Sequence, residues 1–186
     1  SHSHINYYID VTLTKFRLSE ARAAAQELVR GYRGTTIIDT ILCLDGTEVI
    51  GACMGSELTK AGYSNMNAHQ TIYVVTPEHT TGSQLIFREN TAPMIQNKHV
   101  LVLAASVTTG YTVQGAVEAI RYYGGEPAGV TAIFATVDKC AGYPVASIFD
   151  PHDLPDYQSY DAHNCPWCKE GKKIDALVNS FGYSSL

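Results

Sequence analysis

The chain has 186 residues, 45% hydrophobic and 17% charged, which suits one soluble globular domain with a sizeable core. A net charge of −5, with thirteen Lys and Arg scattered along the chain, argues against a nucleic-acid backbone as partner, and no apolar run reaches the length of a membrane span. Five cysteines, an odd count and mostly within apolar segments, together with an opening that carries no secretory signal pattern, point to a reducing cytoplasm rather than a disulfide framework. Ser1-His2 reads as a tag remnant, so His2 and His4 receive no weight as ligands.

From Ser19, the residues Ala21, Ala24, Ala25, Leu28 and Val29 recur at helical spacing, and Gly31 and Gly34 end the run. Thr35–Leu44 is β-branched and apolar and reads as a buried strand. A turn at Asp45-Gly46-Thr47 follows, then a second helix through Val49, Ile50, Cys53, Met54 and Leu58, closed near Gly62. Gln70–Val75 reads as a strand. The stretch from Thr76 to Lys98 is long and turn-rich, of the kind that forms lids or binding loops.

Val100–Ala104 is the next predicted strand. Val113, Ala116, Val117 and Ile120 predict a third helix, stopped by Gly124-Gly125, and Gly129–Val137 and Val145–Phe149 read as further strands. Strands alternating with helices imply an α/β fold: a mostly parallel sheet with helices on both faces and ligands beyond the carboxyl ends of its strands. The expected organisation is one domain over 1–186, with a core of about 19–150 and a hood made by segments 1–18 and 151–186.

The stretch Ala104-Ala105-Ser106-Val107-Thr108-Thr109-Gly110-Tyr111-Thr112 carries the strongest chemical signal. A strand enters a small, hydroxyl-rich, glycine-bearing loop, and a helix begins at once, which is the layout of a phosphate cradle. The competing reading is an ordinary threonine-capped turn. Leu44-Asp45-Gly46-Thr47-Glu48 could form a second ligand loop or merely place acids at a helix start. Arg88 offers a guanidinium fork suited to phosphate, or a solvated loop charge, while Lys98 and His79 read as solvated loop charge. Cys165-x-x-Cys168, with His163 nearby and His152 upstream, fits a zinc set or a tail turn that packs Trp167 on the domain.

These residues resemble the type I phosphoribosyltransferases, closest to the orotate branch. The ribose-phosphate loop of that family has four apolar residues, two acids, two variable or apolar residues and Thr-Thr-Gly-x-Thr. The opening Asn6-Tyr7-Tyr8-Ile9-Asp10 is similar to the orotate-type Tyr-x-Asp start, and Cys165-Pro166-Trp167-Cys168-Lys169-Glu170-Gly171 to the Cys-Pro-x-Cys-Lys-x-Gly tails of some members. The resemblance implies the family's α/β fold, a homodimer, and phosphoribosyl transfer between pyrophosphate and a nucleobase. It assigns the 5′-phosphate of 5-phosphoribosyl 1-pyrophosphate (PRPP) or a nucleotide to Thr108, Thr109, Gly110 and Thr112. It assigns pyrophosphate to the Asp45 loop, magnesium to the active enzyme, and a hood over the base to Tyr7, Tyr8 and Asp10.

Two departures are plain. Ala104 and Ala105 stand where the family carries the acids that bind ribose hydroxyls and support magnesium, and Val75-Thr76-Pro77-Glu78-His79 replaces the cationic run of its mobile loop. A non-catalytic nucleotide sensor or regulator that reuses the fold is the alternative function, and a hydrolytic or phosphorolytic activity on nucleotides is a third.

Overall fold

The computed structural model describes residues 3–68 and 70–186. The elements run β1 (Ser3–Ile5), α1 (Thr12–Phe16), α2 (Leu18–Leu28), β2 (Thr40–Cys43), α3 (Glu48–Leu58), β3 (Tyr73–Val75), β4 (Glu78–His79), β5 (Leu85–Ile86), β6 (His99–Val107), α4 (Tyr111–Tyr122), β7 (Glu126–Ala135), β8 (Lys139–Cys140), β9 (Tyr143–Phe149), β10 (Ser159–Asp161), α5 (Pro166–Lys169), β11 (Ala176–Asn179) and β12 (Gly182–Ser185). Six strands form the central sheet in the order β3-β2-β6-β7-β9-β8. All its pairs are parallel except the edge pair β8–β9.

The central strand β6 is buried on both faces from Val100 to Ala105, which is why it reads as a continuous apolar run. Its alternate residues serve two cores. Leu101 and Leu103 pack with Ala21, Ala25, Leu28, Ile50, Met54 and Leu58 of α2 and α3. Val100, Val102 and Ala104 pack with Val113, Ala116, Val117 and Ile120 of α4 on the other face. Helix α4 stops where the sequence predicts: Gly124 adopts φ +79°, its N–H donates to Arg121 O, and the Gly125 N–H reaches Ile120 O at 2.8 Å.

Several predicted boundaries shift. The strand read over Thr35–Leu44 is only Thr40–Cys43, because turns at 29–35 use up the first part. Gln70–Ile72 is not strand, and β3 begins at Tyr73. The strand read over Val100–Ala104 continues to Val107, and the one read over Gly129–Val137 lies at Glu126–Ala135. The predicted long loop from Thr76 to Lys98 contains the β4–β5 hairpin and a 3-10 turn at Ala92–Met94.

The two chain ends meet. β1 pairs antiparallel with β10, with His4 opposite Tyr160, and the Asn6 side chain donates to Asp156 O and accepts from the Gln158 N–H. The C-terminal hairpin β11–β12 brings Tyr183 against Tyr8, with ring centroids 5.2 Å apart.

Candidate functional site

A cavity of about 410 Å³ lies beyond the carboxyl ends of β2 and β6. Its floor is Asp45 and the segment Ala105–Val113; its roof comes from β1, Tyr7, Tyr8 and the hairpin turn at 178–182. The volume is in the range of small-molecule sites. This is also where an open α/β sheet places its ligands, since loops after adjacent strands diverge there.

The segment after β6 is the stretch that the sequence picks out as a phosphate cradle. Ser106 and Val107 are still strand, so the loop proper is Thr108-Thr109-Gly110, and Tyr111 and Thr112 already belong to α4. Gly110 is the residue that makes the turn. Its φ is +79°, and a Cβ there would lie 2.6 Å from Cys140 Sγ. No side chain caps α4, which removes the reading of a threonine-capped turn. The first intrahelical bond is Gln114 N–H to Gly110 O, so the N–H groups of Tyr111, Thr112 and Val113 are left without a helical acceptor. They meet the cavity at the positive end of a 12-residue helix, beside the Thr108, Thr109 and Thr112 hydroxyls. Tyr111 is 72% exposed and stands at the rim.

Ala104 and Ala105 are not equivalent. Ala104 is buried in the α4-side core, so it is not part of the cavity wall, contrary to its expected place in the ribose-binding set. Ala105 follows on the opposite side of the strand and borders the cavity. Its N–H donates to Asp45 Oδ2 at 3.3 Å.

Asp45 sits in a left-handed turn at φ +58°. Burial pushes its carboxyl above the ordinary value, against the opposing pull of the Ala105 N–H, Lys15 and His79. Lys15 is the residue that sequence reasoning missed. It lies on the short helix α1, only 5% exposed, and its Nζ donates to Asp45 O and Ser180 O, both at 2.9 Å. Among the described residues, Lys15 and Asp45 are the only charged side chains bordering the cavity. The available signal was slight: a lysine between Thr14 and Phe16, shortly after Asp10, whose carboxylate accepts the Thr12 N–H.

The other residues of the expected pyrophosphate loop are structural. Leu44 is core, and the buried Thr47 hydroxyl donates to Leu44 O at 2.7 Å. Gly46 turns the chain at φ +73°. Glu48 points away from Asp45 and accepts from the Thr76 hydroxyl at 3.0 Å, so the two acids do not converge. Arg88 lies outside the cavity wall, and Glu78 occupies its fork at 2.7 and 2.6 Å. Magnesium does not fit this donor set: Asp45 is the one carboxylate on the wall among the described residues, and it already accepts from Ala105 beside a lysine.

Aromatic rings also line the cavity. Tyr7, Tyr8, Phe181 and Tyr157 border the cavity, and Tyr157 meets Phe134 edge-on at 5.7 Å. Such rings offer flat apolar surface of the kind on which a heterocycle stacks.

A parallel sheet in this order, with a hydroxyl-rich loop opening α4 at its carboxyl edge, defines the fold of the type I phosphoribosyltransferases. The orotate phosphoribosyltransferase of Mycobacterium tuberculosis, solved with inorganic phosphate, matches with a TM-score of 0.56 at 18% identity, over 80% of this chain and 80% of that one. An adenine phosphoribosyltransferase from Thermoanaerobacter pseudethanolicus gives 0.57 at 12% identity, over 77% and 87%. The Trypanosoma brucei adenine enzyme, solved with AMP, pyrophosphate and ribose-5-phosphate, gives 0.54 at 15% identity, over 84% and 73%. No family model matches the chain. At these identities the likeness is one of fold. Among the described residues, no helix is long and apolar enough to cross a membrane.

Proposed function

We propose that this protein binds a ribose 5-phosphate group, carried by PRPP or a nucleotide, with the phosphate at the start of α4 and the base under the hood. The observation that carries this reading is the N-terminal end of α4. Three N–H groups without helical acceptors and three threonine hydroxyls border one end of the cavity. A phosphate dianion satisfies such a set without needing a protein cation, because the amides and the helix dipole supply the positive potential. The likeness to structures solved with phosphate and with ribose-5-phosphate supports the same choice of ligand.

The reaction this arrangement would serve is transfer of a phosphoribosyl group between pyrophosphate and a nucleobase. Thr108, Thr109 and Thr112 hold the phosphate; Asp45 and the Ala105 N–H lie further along the floor. The Asp45 carboxylate, on the floor of the cavity, can accept a hydrogen bond from a ribose hydroxyl or a base N–H. Lys15 fixes the Asp45 backbone and so the direction of that carboxyl.

A specific feature favours a second reading, a nucleotide sensor without turnover. Alanine at position 105 offers neither charge nor a side-chain hydrogen bond to the cavity, and the fork of Arg88 is already filled by Glu78. Departing pyrophosphate then meets little positive charge, which costs rate rather than binding.

Isothermal titration with ribose 5-phosphate, a nucleoside monophosphate and PRPP tests the binding claim, and pyrophosphate release with a panel of nucleobases tests turnover. Binding with turnover supports the transferase; binding without it supports the sensor. Heat from none of the three ligands overturns both.

A further inference from the structure

The outer face of the β1–β10 ribbon carries a cluster that the cavity does not use. Ser3 and Ile5 of β1 border the cavity, and between them His4 turns to the other side of the strand. Its Nδ1 lies 3.2 Å from Cys168 Sγ. Cys165, buried at the start of α5, completes the group: the ligand atoms of His4, Cys165 and Cys168 all lie within 4.8 Å of one another. The same face holds the partner of His4 in the ribbon, Tyr160, whose ring meets Trp167 of α5 edge-on at 5.0 Å. Trp167 thus packs on the ribbon itself, and the same turn brings two thiols to an imidazole 164 positions away from Cys168.

This grouping differs from the zinc set read from spacing. His163 is exposed and stands outside the cluster, with its backbone N–H donating to Asp161 Oδ1 at 2.8 Å. The His152 ring lies 3.0 Å from Asp150, also outside it. His4, given no weight in the sequence, supplies the imidazole.

We propose that His4, Cys165 and Cys168 bind a zinc ion, with water as the fourth ligand, and that the metal clips β1 to the C-terminal segment. Two thiolates and one imidazole suit a borderline-soft cation and disfavour magnesium or calcium. Tetrahedral zinc, with its usual bond lengths, sets sulfur and nitrogen ligands about 3.5–3.8 Å apart, so small side-chain adjustments bring this cluster onto the ion. Binding releases the two thiol protons to solvent and leaves zinc-bound thiolates, with no change of oxidation state. The consequence reaches the cavity through the strand: holding His4 also holds Ser3 and Ile5 in the roof. This site stands independently of the phosphate reading.

The test uses the full chain without a histidine tag, purified without chelator. Elemental analysis after zinc loading and gel filtration is expected to give one equivalent per chain. Cobalt substitution is expected to give thiolate-to-metal charge transfer and the intense visible bands of tetrahedral cobalt. His4→Ala and Cys168→Ser lose the ion, whereas His163→Ala and the ligand swap Cys168→His retain it. Chelation of the wild type speeds amide exchange in β1 and β10. Substoichiometric zinc in the loaded wild type, the weak spectrum of octahedral cobalt, or a Cys165–Cys168 disulfide in the protein as isolated under reducing conditions overturns the proposal. The cobalt spectrum is read on the wild type, so it decides the matter even where a variant fails to fold.

Discussion

The ammonium of Lys15 is shared between the backbone carbonyls of Asp45 and Ser180, at 2.9 Å each. One buried side chain thus joins three parts distant in sequence: the N-terminal helix, the turn after β2 and the C-terminal hairpin. The hood and the cavity floor are tied at this point.

Lys15→Met keeps the length and apolar stem of the side chain but leaves two carbonyls without a donor. The expected loss is about 2–4 kcal/mol of folding stability, from two hydrogen bonds to a charged group. Urea unfolding measures it. A loss within ±0.5 kcal/mol would mean that water replaces the ammonium at both carbonyls.

Thr108→Val, Thr109→Val and Thr112→Val are each expected to weaken binding of ribose 5-phosphate by about fivefold, near 1 kcal/mol per hydroxyl. Gly110→Ala is expected to do more, since it adds a Cβ against Cys140 Sγ at a left-handed residue. Adding Cys140→Ala relieves the contact but not the backbone strain, so the double variant recovers only part of the affinity. Titration calorimetry reads all five proteins.

The Asp45 carboxyl is raised above its ordinary value, chiefly by burial. Folding therefore favours its protonated form. Its contribution to stability is present in full below the unfolded carboxylate pKa and is lost as pH rises through the higher folded pKa. Asp45→Asn, whose side chain tolerates the same left-handed turn, should match the wild type in acid and exceed it in stability near neutrality. Urea unfolding across a pH series checks the divergence; parallel profiles for the two proteins would contradict it.

Ala104→Asp and Ala105→Asp should part company. The first buries a carboxylate among Val102, Val117 and Ala132 and is expected to cost at least ~3 kcal/mol. The second places it on the cavity wall beside Asp45, where it leaves the fold intact and makes PRPP binding depend on magnesium. Thermal melts and calorimetry with and without magnesium separate the two effects.

Burial and the Glu48 charge push the Cys43 thiol up to about 12. Buried and with little thiolate present, Cys43 should resist a disulfide reagent in the native state, while Cys168 of metal-free protein reacts before it because it is exposed. Mass spectrometry of the labelled protein assigns the sites, and early labelling of Cys43 would contradict its burial.

Much of the fold was legible in the sequence because its signals are local. The runs at 100–105 and 130–135 announce buried parallel strands, the spacing of Val113, Ala116, Val117 and Ile120 announces α4, and Gly124-Gly125 ends it. The short helix at Thr12–Phe16 and the pieces β1, β10, β11 and β12 were not legible. Each is too short to show a period, and each is held by pairing or packing with a segment far away in the chain.

The site divided along the same line. Thr108-Thr109-Gly110 after an apolar strand and before a helix is a contiguous pattern, so the sequence alone picked out the proposed phosphate cradle. Contacts that close long loops have no mark in the neighbouring residues. Only the tertiary structure decided that Asp45 faces the cavity while Glu48 does not, that Ala104 belongs to the core and Ala105 to the wall, and that Glu78 occupies Arg88. The same holds for Lys15 beneath the hood and His4 beside two cysteines from the other end of the chain. Backbone propensity and hydrophobic period act over a few residues, whereas the direction of a side chain is set by whatever the folded chain brings against it.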